Sequence, residues 1–549
     1  MQAIIRILVA LLVLISGASA SANPGVQHLS GHGPTDGEFS AWTKVLANGT
    51  QMKFYAKYLQ PGQKVQFMVQ NDAGVYEQFA WKRVDASSLN EDGSYTDLQN
   101  HVYFIRTYDL KPGKNRVRIL VDGELYWGTK TYSLSEQNPT NNESGFDLAL
   151  ERADDEICKL QEMSLPRTQD PSSVASSFPP TGSKSLTLEG TITVKLVFIE
   201  WDDLRGTDDD YDYNKWSAEL FGDFYEVMSE GKLDMRLTVE ADWISVGSSW
   251  KDDVIPAGME GGSWQSREYL QPFIDKVVAA VDPSTDFSGV DVILFGTPSA
   301  ETVVDSLHVF SHSGVFATTQ EGTIVDMFSL GRRIYDHRES QPGWAQYAHE
   351  FGHSLGMPDL RDWTQGQFDV PMYIISPMFG HEIMDNQNAG SRSISGWLKW
   401  VQGWLNDDQV TCIDGQDPFR EFHQLDWANL LDGQNELVTI KVSDTKLVAI
   451  ESTRWDSTFD LKTRNKTDGV IVYTIDSTLG HQEGPLRLVS PRDISEYLSD
   501  PHIWPDWRVL DVIVGEGESL EVDGVRITNV KSTSTSDVVL IESVGNRTP

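Results

Sequence analysis

Residues 344–362 read WAQYAHEFGHSLGMPDLRD, and this stretch decides the fold of the chain around it. His349-Glu350-Phe351-Gly352-His353 has the H-E-x-x-H pattern. Residues four apart share one face of a helix, about 6 Å apart along its axis. Two imidazoles at that spacing can bind one zinc ion, and the glutamate beside the first can reach a water there and accept its proton. The helix is expected independently of the motif, because Trp344, Tyr347, Ala348, Phe351 and Leu355 recur at helical spacing. Gly356 predicts a left-handed stop and Pro358 prevents continuation. The chain then turns just after His353, which makes Asp359 the first acidic side chain able to come back toward the metal.

The whole pattern, H-E-x-x-H-x-x-G-x-x-D, resembles the extended zinc signature of metzincin-type peptidases, with aspartate in the third ligand place. A bare H-E-x-x-H also arises by chance on helices whose histidines are only polar surface groups. Gly356 and Asp359 at the later offsets argue against that. Two roles stay open for Asp359: a direct ligand, or a carboxylate that only orients a ligating histidine.

Composition bounds the rest. With 81 acidic and 44 basic residues the net charge is −37. That excludes nucleic acid or an anionic membrane as a partner held by broad charge attraction. It suits solubility, a salty medium or bound calcium. Residues 1–22 read as a signal peptide: Arg6 is the positive start, Ile7 to Ile15 the apolar run, and small residues at 18–22 offer cleavage sites. No later stretch reads as a transmembrane anchor, so a secreted protein, extracellular or periplasmic, is expected. The two cysteines, Cys158 and Cys412, could form a disulfide across the central domain or remain as two thiols.

Taken in order, the chain reads as multidomain. Residues 27–135 form an N-terminal all-β, immunoglobulin-like sandwich, from alternation such as Val65, Phe67, Val69 and Val117, Ile119, Val121. Trp42, Trp81, Tyr103, Tyr108 and Trp127 in it are either core or a platform for a glycan or protein partner. Residues 136–186 are a linker or processing segment with a short helical piece over 146–163. Residues 187–412 form a central α/β domain: a buried strand at 192–199, an amphipathic helix from Trp216 to Met228, a strand at 233–239, a helix at 267–281, a second buried strand at 290–295, then the 344–355 helix. An acidic loop holding Asp202, Asp203, Asp208, Asp209, Asp210 and Asp212 suits either calcium or solvent. Met384 is placed either for a methionine turn beneath the zinc or as an ordinary core residue, and 394–405 reads as a closing helix. Residues 413–549 form a C-terminal all-β domain.

Several stretches together resemble the immune inhibitor A family of secreted bacterial metallopeptidases: HEFGHSLGMPDL at 349–360, FYEVMSEGKLDM at 224–235, DFSGVDVILF at 286–295, SGWLKWVQGWL at 395–405 and GVIVYTID at 469–476. The likeness covers roughly 190–480 and leaves out 27–135. It implies a metzincin-like zinc endopeptidase and, as in many members of that family, a place for structural calcium. His349 and His353 match metal ligands, Glu350 the general base and Asp359 the acidic position after the glycine. Where astacin-type relatives carry a tyrosine two residues after the methionine, this chain has Asn386, which leaves Tyr373 and His381 as candidate oxyanion stabilisers. The function expected is peptide hydrolysis in protein or peptide substrates by a metal-activated water with Glu350 as base. A zinc hydrolase of another bond is a third reading, and the chief rival is an exported binding protein whose β modules grip glycan or protein and whose zinc is structural. That would need a fourth protein ligand, for which His381 or Glu382 is the candidate.

Overall fold

The computed structural model describes residues 40–45, 51–57, 64–70, 76–83, 104–109, 113–121, 124–134, 155–164, 176–180, 186–253, 267–299, 307–309, 315–329, 342–365, 376–386, 393–428, 433–454, 459, 468–493, 512–533 and 535–544. The signal peptide expected at 1–22, Tyr103 and Tyr373 lie outside them. The chain is multidomain and rich in β-structure, with four α-helices among the described residues. None of these helices is long and apolar enough to cross a membrane.

The N-terminal region holds two antiparallel sheets. One has the order Ser40–Val45, Gln51–Lys57, Phe104–Asp109. The other has the order Tyr76–Arg83, Lys64–Gln70, Gly113–Val121, Glu124–Leu134. Period-two alternation puts Val65, Phe67 and Val69 on one buried face. Phe67 meets Phe54 of the other sheet with ring centroids 4.9 Å apart.

The central sheet runs in the order Leu307–Val309, Asp326–Ser329, Val292–Gly296, Gly190–Glu200, Leu233–Ser245. Its last four strands are parallel and the short first one is antiparallel. Gly190–Glu200 is apolar on both faces because both are covered. Ile192, Val194, Leu196 and Phe198 face helices α1 (Asp208–Met228) and α3 (Gly343–Ser354), whereas Val197 and Ile199 face α2 (Arg267–Val281).

The structure corrects three expectations. Helix α1 begins at Asp208, eight residues before the apolar stripe. Thr207 and Asp210 form a capping box, and the carboxylates of Asp208, Asp209 and Asp210 lie in the first turn, where the helix dipole favours them. Much of the expected acidic loop is therefore helix, and Asp203 is spent on Ser249 and the Trp250 N–H. The segment expected as helix over 146–163 has one 3-10 turn, Asp155–Ile157, among its described residues. It continues as extended chain because its backbone groups pair elsewhere, Glu162 N–H with Phe178 O and Met163 N–H with Ser477 O. The closing helix α4 spans only Gly396–Val401; Gly403, at φ 77°, takes the left-handed conformation that ends it.

The C-terminal region is two sheets face to face. Val410–Asp414, Leu437–Lys441, Lys446–Thr453, Gly469–Asp476 and Leu486–Leu488 form one, and Arg420–Asp426, Ser536–Ser543, Val525–Ser532 and Ser519–Val522 the other. Between them lies a core of Ile413, Val438, Ile450, Val472, Ile527 and Ile541. The strand Val410–Asp414 runs across position 412 and pairs in parallel with Leu437–Lys441. The outer face of the same sheet, through Leu437, Leu447, Ile471 and Tyr473, joins the core that holds α1, α3 and α4. Cys158 and Cys412 form a disulfide, S–S 2.07 Å, that fastens the 155–164 segment to this strand.

Candidate metal centre

Helix α3 carries the site and is held along its length. Its first N–H, from Gly343, donates to Tyr213 Oη of α1 at 2.8 Å, replacing the side-chain cap that Pro342 cannot supply. Tyr225 Oη, also from α1, donates to Ala348 O at 2.6 Å, and Ser354 Oγ donates to Asp326 Oδ1 of the sheet at 2.6 Å. The helix ends as the sequence requires: Gly356 has φ 87°, and the N–H of Met357 returns to Gly352 O at 2.9 Å.

His349 and His353 stand one turn apart on the face of α3 that meets the returning chain, with ring centroids 5.1 Å apart. His349 Nδ1 bonds Ile383 O at 2.8 Å, and His353 Nδ1 bonds Met357 O at 2.9 Å. A carbonyl oxygen only accepts, so each Nδ1 carries the hydrogen and each neutral ring presents a lone pair on Nε2. Asp359 Oδ1 lies 3.3 Å from His349 Nε2 and 3.7 Å from His353 Nε2. It is buried and accepts no hydrogen bond among the described residues, whereas Oδ2 accepts from Gln482 Nε2 at 3.3 Å.

With both rings neutral, three lone-pair donors converge here, an arrangement that a cation would relieve. The spacing fits one: bonds of about 2.0–2.1 Å at tetrahedral angles separate donor atoms by about 3.3 Å. His349, Glu350 and His353 also bring ligand atoms within 4.8 Å of one another. The two carboxylates are placed differently. Asp359 faces both Nε2 atoms, while Glu350 Oε1 accepts from Gln346 Nε2 at 2.6 Å on the next face of the helix.

The electrostatics follow from burial. Burial pushes His353 down to about 4, which leaves its imidazole neutral and able to ligate. Burial also lowers His349, but Asp359 and Glu350 outweigh it and the net shift is upward. Asp359 would rise on burial alone, yet His353 and His349 hold it well below the usual carboxylate range. Glu350 is itself 8% exposed, so its carboxylate lies beside the histidines and largely out of water.

Met384 lies fully buried beneath the helix. A Cβ on Gly352, between the two histidines, would come 2.5 Å from its sulfur. His381 is buried in the same 376–386 turn, its N–H on Met378 O and its carbonyl accepting from Ser393 Oγ. Glu382 is completely buried; its Oε1 accepts from Met384 N–H at 3.2 Å, and burial beside Asp385 and Glu451 raises it well above the usual range. Asp362 is buried, ion-paired with Arg487 and bonded to Thr364, away from the three donors.

Two residues at the site carry no signal in the sequence. His481 and Gln482 follow the strand Gly469–Asp476. Gln482 N–H donates to Asp359 O at 2.9 Å, Trp363 N–H donates to Gln482 O at 3.0 Å, and Asp359 N–H donates to His481 Nδ1 at 3.0 Å. The C-terminal region therefore holds Asp359 through both its backbone and its side chain. Searched against family models and curated proteins, the chain matches none.

Proposed function

We propose that the chain is an exported zinc endopeptidase, built on a metzincin-like plan of the immune inhibitor A kind, with an immunoglobulin-like sandwich before the catalytic region. The observation that carries this is the convergence of His349 Nε2, His353 Nε2 and Asp359 Oδ1 beside the buried carboxylate of Glu350. Three protein donors leave a tetrahedral ion one open position, as a catalytic site needs and a structural one does not.

Bound zinc supplies a water with its pKa lowered toward neutrality and a polarised scissile carbonyl. Glu350 accepts the water's proton as the new C–O bond forms, and Gln346 orients that carboxylate from one turn earlier. Glu350 then gives the proton to the amide nitrogen as the C–N bond breaks, leaving a carboxylate and an amine. His349 and His353, each fixed at Nδ1 by a backbone carbonyl, hold their lone pairs in place throughout. No cysteine takes part, since both are joined in the disulfide.

The test is casein hydrolysis by the exported full-length protein, with chelator, with zinc restored, and with Glu350→Gln. Activity should vanish with chelator and return with zinc. Glu350→Gln should keep zinc and fold but lose roughly 10²–10⁴-fold or more in kcat. A variant that turns over normally would remove Glu350 from the role of base.

A further inference from the structure

Peptide hydrolysis places negative charge on the scissile carbonyl oxygen, and a donor aimed at that oxygen is usually a large part of catalysis. The place two residues after Met384 holds Asn386, which is buried with its Nδ2 directed to Ser376 Oγ at 3.4 Å. His481 offers what Asn386 does not. Its Nδ1 accepts the Asp359 N–H at 3.0 Å. A backbone amide only donates, so Nδ1 keeps its lone pair and the hydrogen of the neutral ring is on Nε2. That Nε2 lies 4.0 Å from Asp359 Oδ2, beyond hydrogen-bond reach, and has no acceptor among the described residues. The ring is T-shaped to His353 with centroids 6.2 Å apart, and its side chain is 22% exposed where Asp359 is 12% exposed. His481 is therefore the more exposed of the two side chains and lies beside the His353 ring.

We propose that His481 is a catalytic residue, whose Nε2–H donates to the scissile carbonyl oxygen as that oxygen takes up negative charge. The inference rests on the peptidase reading above. The donor is pre-organised because its loop cannot swing without breaking the Gln482 and Trp363 backbone bonds to the ligand segment and the Gly480 N–H bond to Glu483 Oε2. Its tautomer is set by the same residue whose carboxylate completes the metal site, so oxyanion donor and third ligand are positioned as one unit.

Two substitutions in the full-length, zinc-loaded protein separate donation from positioning. His481→Asn keeps an acceptor for the Asp359 N–H but loses the donor at Nε2. His481→Gln restores an N–H near that place. We expect His481→Asn to keep its zinc and its KM within about twofold while kcat falls roughly 10²–10³-fold, and His481→Gln to recover at least tenfold of that. Calorimetry gives a readout apart from turnover. A phosphinic pseudopeptide, whose oxygen mimics the charged carbonyl, should bind His481→Asn at least tenfold more weakly, while a thiol pseudopeptide binds unchanged. Wild-type kcat in His481→Asn, or equal loss of both ligands together with zinc, would overturn the donor role and leave His481 a positioning residue. If Glu350→Gln cleaves as well as the wild type, or neither cleaves, the peptidase reading itself fails and this inference with it.

Discussion

Gly352, the residue just before the second histidine, shows how little room the site leaves. Its missing side chain is where Met384 sulfur and Tyr225 Oη approach, at 2.5 and 3.1 Å from an ideal Cβ. Gly352→Ala should therefore displace a fully buried methionine and cost about 1–3 kcal/mol as overpacking does, read from the urea midpoint; an unchanged midpoint would mean Met384 yields freely. A second residue-scale effect is electrostatic. Asp385 is wholly buried, and burial raises its carboxyl to about 7, although the Gly380 N–H and Arg361 pull it down. Between about pH 4 and about pH 7 the folded state then holds a proton that the unfolded chain has lost, so this residue makes stability fall as pH rises through that window. Asp385→Asn should flatten that part of the stability profile and leave the variant the more stable at pH 7, measured by urea unfolding from pH 4 to 8. An unaltered slope would assign it to other groups.

At the scale of elements, what could be read from the sequence was what local geometry sets. Helix α3, its stop at Gly356 and the return of Asp359 all lie within seventeen residues, 343–359, and depend on i to i+4 spacing, one left-handed glycine and one proline. The two inner parallel strands, Gly190–Glu200 and Val292–Gly296, were legible because burial on both faces leaves a continuous apolar run, and Leu233–Ser245 was legible from its alternation; Asp326–Ser329 was not foreseen. The extents of α1 and α4 were not. A capping box extended α1 into the acidic run, while Gly403 cut α4 short of Trp404 and Leu405, which continue its apolar pattern. The disulfide was one of two outcomes the sequence allowed, and only the fold brings Cys158 against the strand Val410–Asp414. It closes a span of 254 residues. Replacing both cysteines by alanine should lower stability by up to about 5 kcal/mol on the chain-entropy argument, again by urea midpoint, and no change would mean that the contacts of 155–164 suffice without the bond.

At the scale of the whole molecule, the site belongs to two regions far apart in sequence. His349, Glu350 and His353 come from a central helix, but the loop that fixes Asp359 and presents His481 follows a strand of the C-terminal sheet. Sequence reading stopped at a boundary near 412 because no local pattern links residue 359 to residue 481; only shared packing of the outer face of that sheet against α1, α3 and α4 does so. The proposed centre is an open, three-donor zinc site assembled by both regions. Its most direct test is a crystal structure of the full-length protein with anomalous data at the zinc edge. One peak is expected, about 2.0–2.2 Å from His349 Nε2, His353 Nε2 and Asp359 Oδ1, with a non-protein ligand in the fourth place. A peak that leaves Asp359 well beyond bonding distance, or that takes His381 or Glu382 as a fourth protein ligand, would contradict it.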